Sequence, residues 1–135
     1  EGLSVDELEH LLYHECGLLG VSGESGDVRA LLSSSSPAAV EALELFAFSI
    51  AGHVAALTAT LGGLDAVVFT GGVGEHSAQV RKAVAERLRW MGLELDLEAN
   101  DAGRPVISLN NSRVRALVIP TDEEQVIAQQ TLSLF

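Results

Sequence analysis

Residues 70–77, reading TGGVGEHS, are the stretch of this sequence best suited to chemistry. They follow the apolar run Ala66–Phe69 and lead into a helical pattern that begins near Ser77. A buried strand that opens through glycines into a helix start is a common geometry for holding a phosphate or a nucleotide. The backbone can approach the ligand closely there, and free N–H groups favour negative charge. The pattern therefore predicts a phosphate- or nucleotide-binding turn.

Two other interpretations of this turn stay open. Gly72 and Gly74 match the first two glycines of a dinucleotide fingerprint, but Ser77 stands where the third glycine is expected. The acid expected after the next strand is only loosely supplied by Glu94 or Asp96, and the lysine-containing phosphate loop is absent. The other alternative is a turn that serves only tight packing of the strand on the helix.

An acidic segment, residues 120–124 (PTDEE), occupies the equivalent position after a second buried strand at residues 114–119. Thr121 and Glu124 have the spacing of a capping box, so a well-formed helix start explains these two residues. Both turns follow parallel strands and should open at the carboxyl edge of the sheet, where α/β folds bind their ligands. A carboxylate there suits a hydrated Mg²⁺ that bridges to a phosphate, and Glu123 is the predicted magnesium ligand.

Asp27, Val28 and Arg29 form a third group, within a segment rich in glycine and serine. Arginine pairs with phosphates and stacks on bases, although a surface ion pair is the commoner role of a single arginine. His10, His14 and Cys16 are a weaker group, because two histidines one helical turn apart beside acids are typical of a solvated helix face. No serine, histidine and acid have the motif spacing of a nucleophilic catalyst.

The composition of the 135 residues describes a folded, acidic protein, 47% hydrophobic with a net charge of −11. Such a charge disfavours a nucleic-acid partner, which requires a basic face. A single cysteine excludes an internal disulfide and fits a reducing compartment. The charged start does not resemble a signal peptide, and the uncharged run at residues 45–64 predicts a buried or half-buried helix rather than a membrane span. We expect a cytoplasmic protein with no membrane partner.

Helices and strands alternate along the chain as in an α/β protein. We predict helices at residues 4–15, Pro37–Leu61, 77–91 and 122–134, a glycine-rich loop at residues 16–26, a short helical turn from residue 28, strands at Ala66–Phe69 and residues 114–119, and short extended segments at residues 93–97 and 106–109. The long helix should bury the face formed by Val40, Leu43, Ala47, Ile50, Val54, Leu57 and Leu61. Two parallel core strands do not make an independently stable sheet, so further strands are expected outside this sequence.

Four segments together resemble one enzyme family. GLLGVSGESGDVR, DAVVFTGGVGEHSAQVRKAV, LELD and VRALVIPTDEEQVIAQQT occur in the order and spacing found in the C-terminal part of the acetate kinase family. This family belongs to the superfamily of acetate and sugar kinases and actin. The resemblance runs from about Leu11 to the end of the sequence. It implies a partial actin-like ATPase domain of ribonuclease H-like α/β fold, with parallel strands and crossover helices, that lacks the N-terminal strands.

The resemblance also implies an activity and a set of site residues. The family transfers the γ-phosphoryl group of ATP to the carboxylate of acetate, giving acetyl phosphate and ADP, with Mg²⁺. By this resemblance, the nucleotide pocket is lined by Gly71, Gly72, Val73, Gly74, Glu75 and His76. Asp27, Val28 and Arg29 would flank the adenosine, and Glu123 would help to place the magnesium. Members are homodimers whose acetate pocket and catalytic residues lie in an N-terminal part absent here, so we assign no catalytic residue and expect no turnover by this chain alone.

The sequence departs from the family pattern at four positions. His76 and Asp122 stand where asparagine is usual, Val28 where phenylalanine is common, and Cys16 where serine is found. The change at residue 76 bears on contacts to the base or ribose. Two alternatives stay open: a non-catalytic nucleotide-binding or interaction module of the same fold, and part of a propionate or butyrate kinase.

Overall fold

The computed structural model describes residues 2–134, without the side chain of Glu123. The chain forms two compact units whose boundary lies between Gly62 and Gly63. The described part of the first unit consists of helices and loops, and the second contains a sheet of two parallel strands.

The first unit is built from helices, and the first of them begins with a capping box. The helices are α1 (Val5–His10), which continues as a π-helical stretch (Leu11–Glu15), α2 (Gly17–Ser22), α3 (Val28–Ser33) and α4 (Pro37–Leu61). The Ser4 amide donates to Glu7 Oε2 at 2.8 Å, and the Glu7 amide donates to Ser4 Oγ at 3.3 Å. Both bonds satisfy N–H groups that have no partner inside the helix, which is why the helix starts here.

Helix α2 lies where the sequence predicted a glycine-rich loop, so that prediction was wrong. Gly17 (φ 66°) and Gly23 (φ 65°) adopt left-handed backbone conformations at the two ends of this short helix. Between them, Leu18 packs against a core cluster formed by Leu31, Ala39 and Ala42. Tertiary packing of this kind stabilises a six-residue helix that propensity alone would leave unformed.

Helix α4 has the predicted bounds, and its buried face overlaps the predicted one in part, since Ala47 is buried and Leu43, Ile50 and Val54 are half-buried. Its buried residues are the alanines Ala39, Ala42, Ala47 and Ala51. Three residues predicted to face the core, Val40, Leu57 and Leu61, are instead 50%, 61% and 73% exposed. Packing side chains set the distance between helices, so the alanine face allows the closer approach. By length and composition α4 is also long and apolar enough to cross a membrane, a test that core helices of soluble proteins pass as well.

The second unit confirms the α/β class and the parallel strand pair. Strand β1 (Ala66–Phe69) pairs with β2 (Arg115–Val118), with Ala66 opposite Arg115 and Phe69 opposite Val118. The helices of this unit are α5 (Gly71–His76), α6 (Ala78–Arg87), a 3₁₀ turn (Arg89–Met91), α7 (Leu97–Asp101) and α8 (Glu123–Leu132). The extended segments predicted at residues 93–97 and 106–109 form only isolated bridges, Leu93 with Val114, Leu95 with Ser108, and Val106 with Leu117.

Two details of the second unit correct the sequence prediction. The glycine turn is itself helical, since residues 71–76 form α5 before Ser77 caps α6. The helix predicted at residues 77–91 ends at Arg87 and tightens into the 3₁₀ turn, which Gly92 terminates with a φ of 89°. Leu88, Leu93 and Ile107 are fully buried and belong to the hydrophobic core.

Candidate functional site

The two predicted ligand-binding segments begin side by side at one edge of the sheet. Phe69 and Val118 are paired in parallel register, and the Ile119 amide donates to the Phe69 carbonyl oxygen at 3.0 Å. The segments that follow both strands therefore start at the carboxyl edge, where ligands of α/β proteins bind. This confirms the expectation that the glycine segment and the segment at residues 120–124 open on the same edge.

Glycine is needed in the first of these segments for two different reasons. Gly71 has a φ of 68°, a conformation that other residues rarely adopt. At Gly74, a Cβ atom would lie 3.1 Å from the carbonyl carbon of Phe69, so the absence of a side chain allows α5 to fold back against β1. The packing interpretation of the glycines therefore holds for Gly74. Gly72 has open space around it, and its side-chain position is free for a ligand.

Glu75 joins the two segments through a single carboxylate oxygen. Its Oε1 accepts hydrogen bonds from the Gly71 amide at 2.8 Å, the Thr121 amide at 2.9 Å and the Thr121 hydroxyl at 3.1 Å. Thr121 is 46 residues away along the chain. The Glu75 bridge, as we call these three bonds, fixes the separation of the segments after β1 and β2. The sequence predicted Glu75 as a nucleotide contact and gave no signal of this bridge.

The hydrogen bonds lower the pKa of Glu75, the amide of Thr121 contributing most. Because the pKa of Glu75 is lower in the folded state than in the unfolded state, the bridge stabilises the folded state at pH values above the ordinary glutamate pKa. That stabilisation is lost as the pH falls through the folded pKa. The His76 charge lowers the pKa further, although its contribution is the smallest.

We expect the amide NMR signals of Gly71 and Thr121 to titrate together, with a midpoint below the ordinary glutamate pKa of about 4.3. Both amides donate to the same oxygen, so protonation of Glu75 changes both at once. The Glu75→Gln variant is the control, since it carries no titrating carboxyl group at this position. Two different midpoints, or one at or above the ordinary value, would contradict the bridge.

The start of α8 differs from the predicted capping box. Asp122 caps this helix, its Oδ1 accepting from the Gln125 amide at 2.8 Å. The Thr121 side chain bonds to Glu75 instead, so the assignment of Thr121 as the capping residue was wrong. Glu123 is the first residue of α8, and its side chain lies outside the described part of the structure. Its predicted role in binding magnesium stays a prediction.

The third predicted group lies in the first unit. Asp27 caps α3, with its Oδ1 accepting from the Arg29 amide at 2.8 Å and its Oδ2 lying 3.0 Å from Arg29 Nη2. The hydrogen bond from the Arg29 side chain contributes most to lowering the pKa of Asp27, and the bond from the Arg29 amide adds to it. The Arg29 side chain is 88% exposed, so the surface ion pair weighed as an alternative is present. Val28 is buried, which leaves only its main chain to contact a ligand.

The histidines make local contacts. His10 Nε2 lies 3.2 Å from Glu15 Oε1, and the rings of His10 and His14 are 5.1 Å apart. Nδ1 of His53 lies 2.7 Å from the Ser49 carbonyl oxygen. Within residues 2–134, leaving out the Glu123 side chain, no group of three or more metal-binding side chains is found.

Sequence comparison decides the family. Residues 1–129 match the Acetokinase family. The chain belongs to that family. This confirms the resemblance inferred from the glycine segment, residues 120–124 and the segments around them.

Curated relatives of this acetokinase-family chain are acetate kinases. The acetate kinase of Rhodopseudomonas palustris (strain TIE-1) is 50% identical over 99% of the chain, and that of Rickettsia felis is 42% identical over 98%. The aligned part is 34% of each relative, so the chain spans about a third of their length.

Solved structures agree on the acetokinase fold. The chain aligns to acetate kinase from Porphyromonas gingivalis with a TM-score of 0.87 and 36% identity, covering 98% of this chain and 35% of that one. With acetate kinase from Entamoeba histolytica the TM-score is 0.89 and the identity 31%, and the alignment covers 98% of this chain and 37% of that one. With a propionate kinase from Francisella tularensis the TM-score is 0.87 and the identity 36%, and the alignment covers 96% of this chain and 34% of that one. The predicted fold class is confirmed.

Proposed function

We propose that residues 1–135 are the C-terminal nucleotide-binding part of a two-domain carboxylate kinase. The complete enzyme would transfer the γ-phosphoryl group of ATP to acetate, giving acetyl phosphate and ADP. The observation that carries this proposal is the Glu75 bridge, which in an acetokinase-family chain holds two segments at the ligand-binding edge of the sheet. Phosphoryl transfer depends mainly on positioning and on offsetting charge, so a fixed separation of these segments suits the reaction.

The nucleotide would lie along α5 and the segment that follows β2. Gly72 and His76 are exposed, and the other residues of α5 are half-buried, so a ligand can reach this helix. The proposed contacts are Gly71, Gly72, Val73, Gly74, Glu75 and His76, with Asp27, Val28 and Arg29 beside the adenosine. Among these residues, Glu75 would contribute by keeping the main chain of both segments in place, since its Oε1 already accepts three hydrogen bonds from Gly71 and Thr121.

We propose that a magnesium ion accompanies the nucleotide at this edge. Mg²⁺ is bound in nucleotide enzymes through one or two carboxylates, waters and the substrate phosphates rather than by a complete protein cage. The chain supplies Glu123 for such a site, while the Asp122 carboxylate is engaged at the helix start. The metal would offset the repulsion between the phosphates and an acidic protein of net charge −11.

The short span of the chain relative to its relatives supports a proposal about the rest of the enzyme. We propose that an N-terminal part of the same enzyme supplies the acetate pocket and the residues that act on the transferred group. The complete enzyme would be a cytoplasmic homodimer, and this chain alone would bind Mg-ATP weakly and form no acetyl phosphate. A propionate kinase among the structural relatives makes propionate the alternative acceptor.

A hybrid enzyme tests the proposal directly. In it, this chain replaces the matching 34% of the Rhodopseudomonas palustris acetate kinase. Acetyl phosphate is trapped as the hydroxamate, with the chain alone and the truncated relative assayed in parallel. We expect turnover by the hybrid and none by either part. A folded hybrid without Mg-ATP binding would overturn the proposed function, and robust turnover by the chain alone would show that the site is complete without a further part.

Arg29 offers a prediction specific to nucleotide binding. In the hybrid, Arg29→Gln should raise KM for ATP roughly three- to tenfold, the loss expected for one exposed cationic contact. The melting temperature should change little, because the Arg29–Asp27 ion pair is exposed. Arg104→Gln is the matched control, since Arg104 makes a similar exposed pair with Glu98 at 2.9 Å. Equal effects of the two substitutions on KM would exclude Arg29 from the site.

A further inference from the structure

A buried arginine lies directly behind the glycine segment. Arg81, on α6, is 2% exposed, and it is among the largest fully buried side chains of the described structure. Its Nη1 donates to the carbonyl oxygens of Gly74 at 2.9 Å and Glu75 at 2.8 Å. Arginine is almost never fully buried unless its donors are satisfied, so this placement calls for an explanation.

Asn100, on α7, orients the guanidinium. Arg81 Nε donates to Asn100 Oδ1 at 2.8 Å, and Nη2 donates to the Asn100 carbonyl oxygen at 2.7 Å. Asn100 is itself 0% exposed, and its Nδ2 donates to the Ala78 carbonyl oxygen at 2.9 Å. Burial lowers the pKa of Arg81, and the charge of Asp101 opposes this effect. Arginine still titrates far above neutral pH, so a positive charge is held next to α5.

The carbonyl groups that Arg81 contacts belong to the end of α5. Gly74 and Glu75 are in the last turn of this six-residue helix, where carbonyl oxygens lack partners within the helix. A cation at the end of a helix is favourable because it satisfies these oxygens and complements the helix dipole. At the other end, the Gly71 amide donates to the Glu75 carboxylate. A helix this short is not stable by itself, so external bonds at both ends set its conformation.

We propose that Arg81, oriented by Asn100, is a positioning residue for nucleotide binding. It fixes the main chain of residues 71–76 in the conformation that receives the ATP phosphates, without touching the nucleotide. This inference rests on the proposed function, and it assigns a role to two residues outside the predicted site. The alternative is that Arg81 only stabilises the fold, in which case its loss would lower the amount of folded protein and leave substrate affinity unchanged.

Lysine at position 81 separates these two roles. It keeps the positive charge, but one ammonium group cannot reproduce the fork that reaches Asn100 and two carbonyl oxygens together. In the hybrid enzyme, Arg81→Lys should raise KM for ATP roughly five- to tenfold and leave KM for acetate unchanged, since only the nucleotide segment is misplaced. Asn100→Asp is a second variant that keeps an acceptor for Nε and loses the donor to Ala78. It should shift KM for ATP in the same direction. Arg89→Lys, at an exposed arginine, is the control.

Amide hydrogen exchange on the 135-residue chain gives a second, independent readout. In Arg81→Lys the amides of residues 74–77 should exchange roughly tenfold faster than in the unsubstituted chain, while amides in the middle of α6 keep their protection. Unchanged KM for ATP in an active hybrid, or uniformly faster exchange throughout the second unit, would overturn the positioning role. An unsubstituted hybrid that folds but binds no Mg-ATP would instead overturn the proposed function, and the exchange pattern would still decide whether Arg81 orders α5.

Discussion

Replacing Glu123 with glutamine should raise the Mg²⁺ concentration needed for half-maximal activity of the hybrid enzyme by roughly tenfold or more. Mg²⁺ prefers charged oxygen ligands, and a neutral amide offers it a weaker one. Glu123 begins α8, two residues after the threonine that the Glu75 bridge holds at the sheet edge. A metal titration at saturating ATP and acetate, followed by hydroxamate trapping, measures the shift.

Glu124 provides the matched control for this experiment. It is the next residue of the same helix, is exposed, and would lose the same charge in Glu124→Gln. We expect its metal titration to match that of the unsubstituted hybrid. The magnesium role of Glu123 fails if both variants shift the titration equally, because a general change in charge near the site would then explain the result. It fails as well if neither variant shifts it.

The strands, the long helix and the family could be predicted from the sequence because each depends on local signals. Pro37 and Gly62 mark the ends of α4, and apolar runs bounded by polar residues or proline mark β1 and β2. Helix α2 was missed because its glycines resemble those of a loop, whereas packing of Leu18 on the core, which the sequence does not indicate, stabilises the helix. The buried face of α4 was predicted only in part, for a related reason. Hydrophobic periodicity indicates leucine and valine as the buried residues of the helix, whereas close packing of two helices requires small residues such as alanine at the contact.

The position of the candidate site could be predicted from the sequence, but the hydrogen bonds within the site could not. Glycines and acids after parallel strands indicated the edge where residues 71–76 and 120–124 meet. Nothing in the spacing indicates that Glu75 reaches Thr121, because that bond joins residues 46 positions apart. In the sequence, nothing distinguishes Arg81 from an exposed polar residue of a helix. Its burial depends on Asn100, which lies on another helix and 19 residues further along. Bonds of this kind are set by tertiary structure, and a single sequence carries no periodic signal for them.

Replacing Glu75 with alanine should lower kcat/KM for ATP in the hybrid enzyme by roughly ten- to a hundredfold, the scale expected when misplacement of about 1 Å reaches a catalytic site. The change leaves the amides of Gly71 and Thr121 and the hydroxyl of Thr121 without their common acceptor. The segments after β1 and β2 then lose the bonds that set their separation. Glu75→Gln should have a smaller effect, because its amide oxygen accepts the same bonds without the charge.

A double-mutant cycle with Thr121 distinguishes this bridge from a direct contact between Glu75 and ATP. Thr121→Val removes the hydroxyl donor and keeps the amide, so alone it should lower kcat/KM roughly two- to fivefold. In the Glu75→Ala background the same substitution should have no further effect, since the hydroxyl has already lost its acceptor. If Glu75 acted by touching the nucleotide, the two losses would multiply. A multiplicative result would therefore reject the bridge as the source of the effect, even if Glu75→Ala alone behaved as expected.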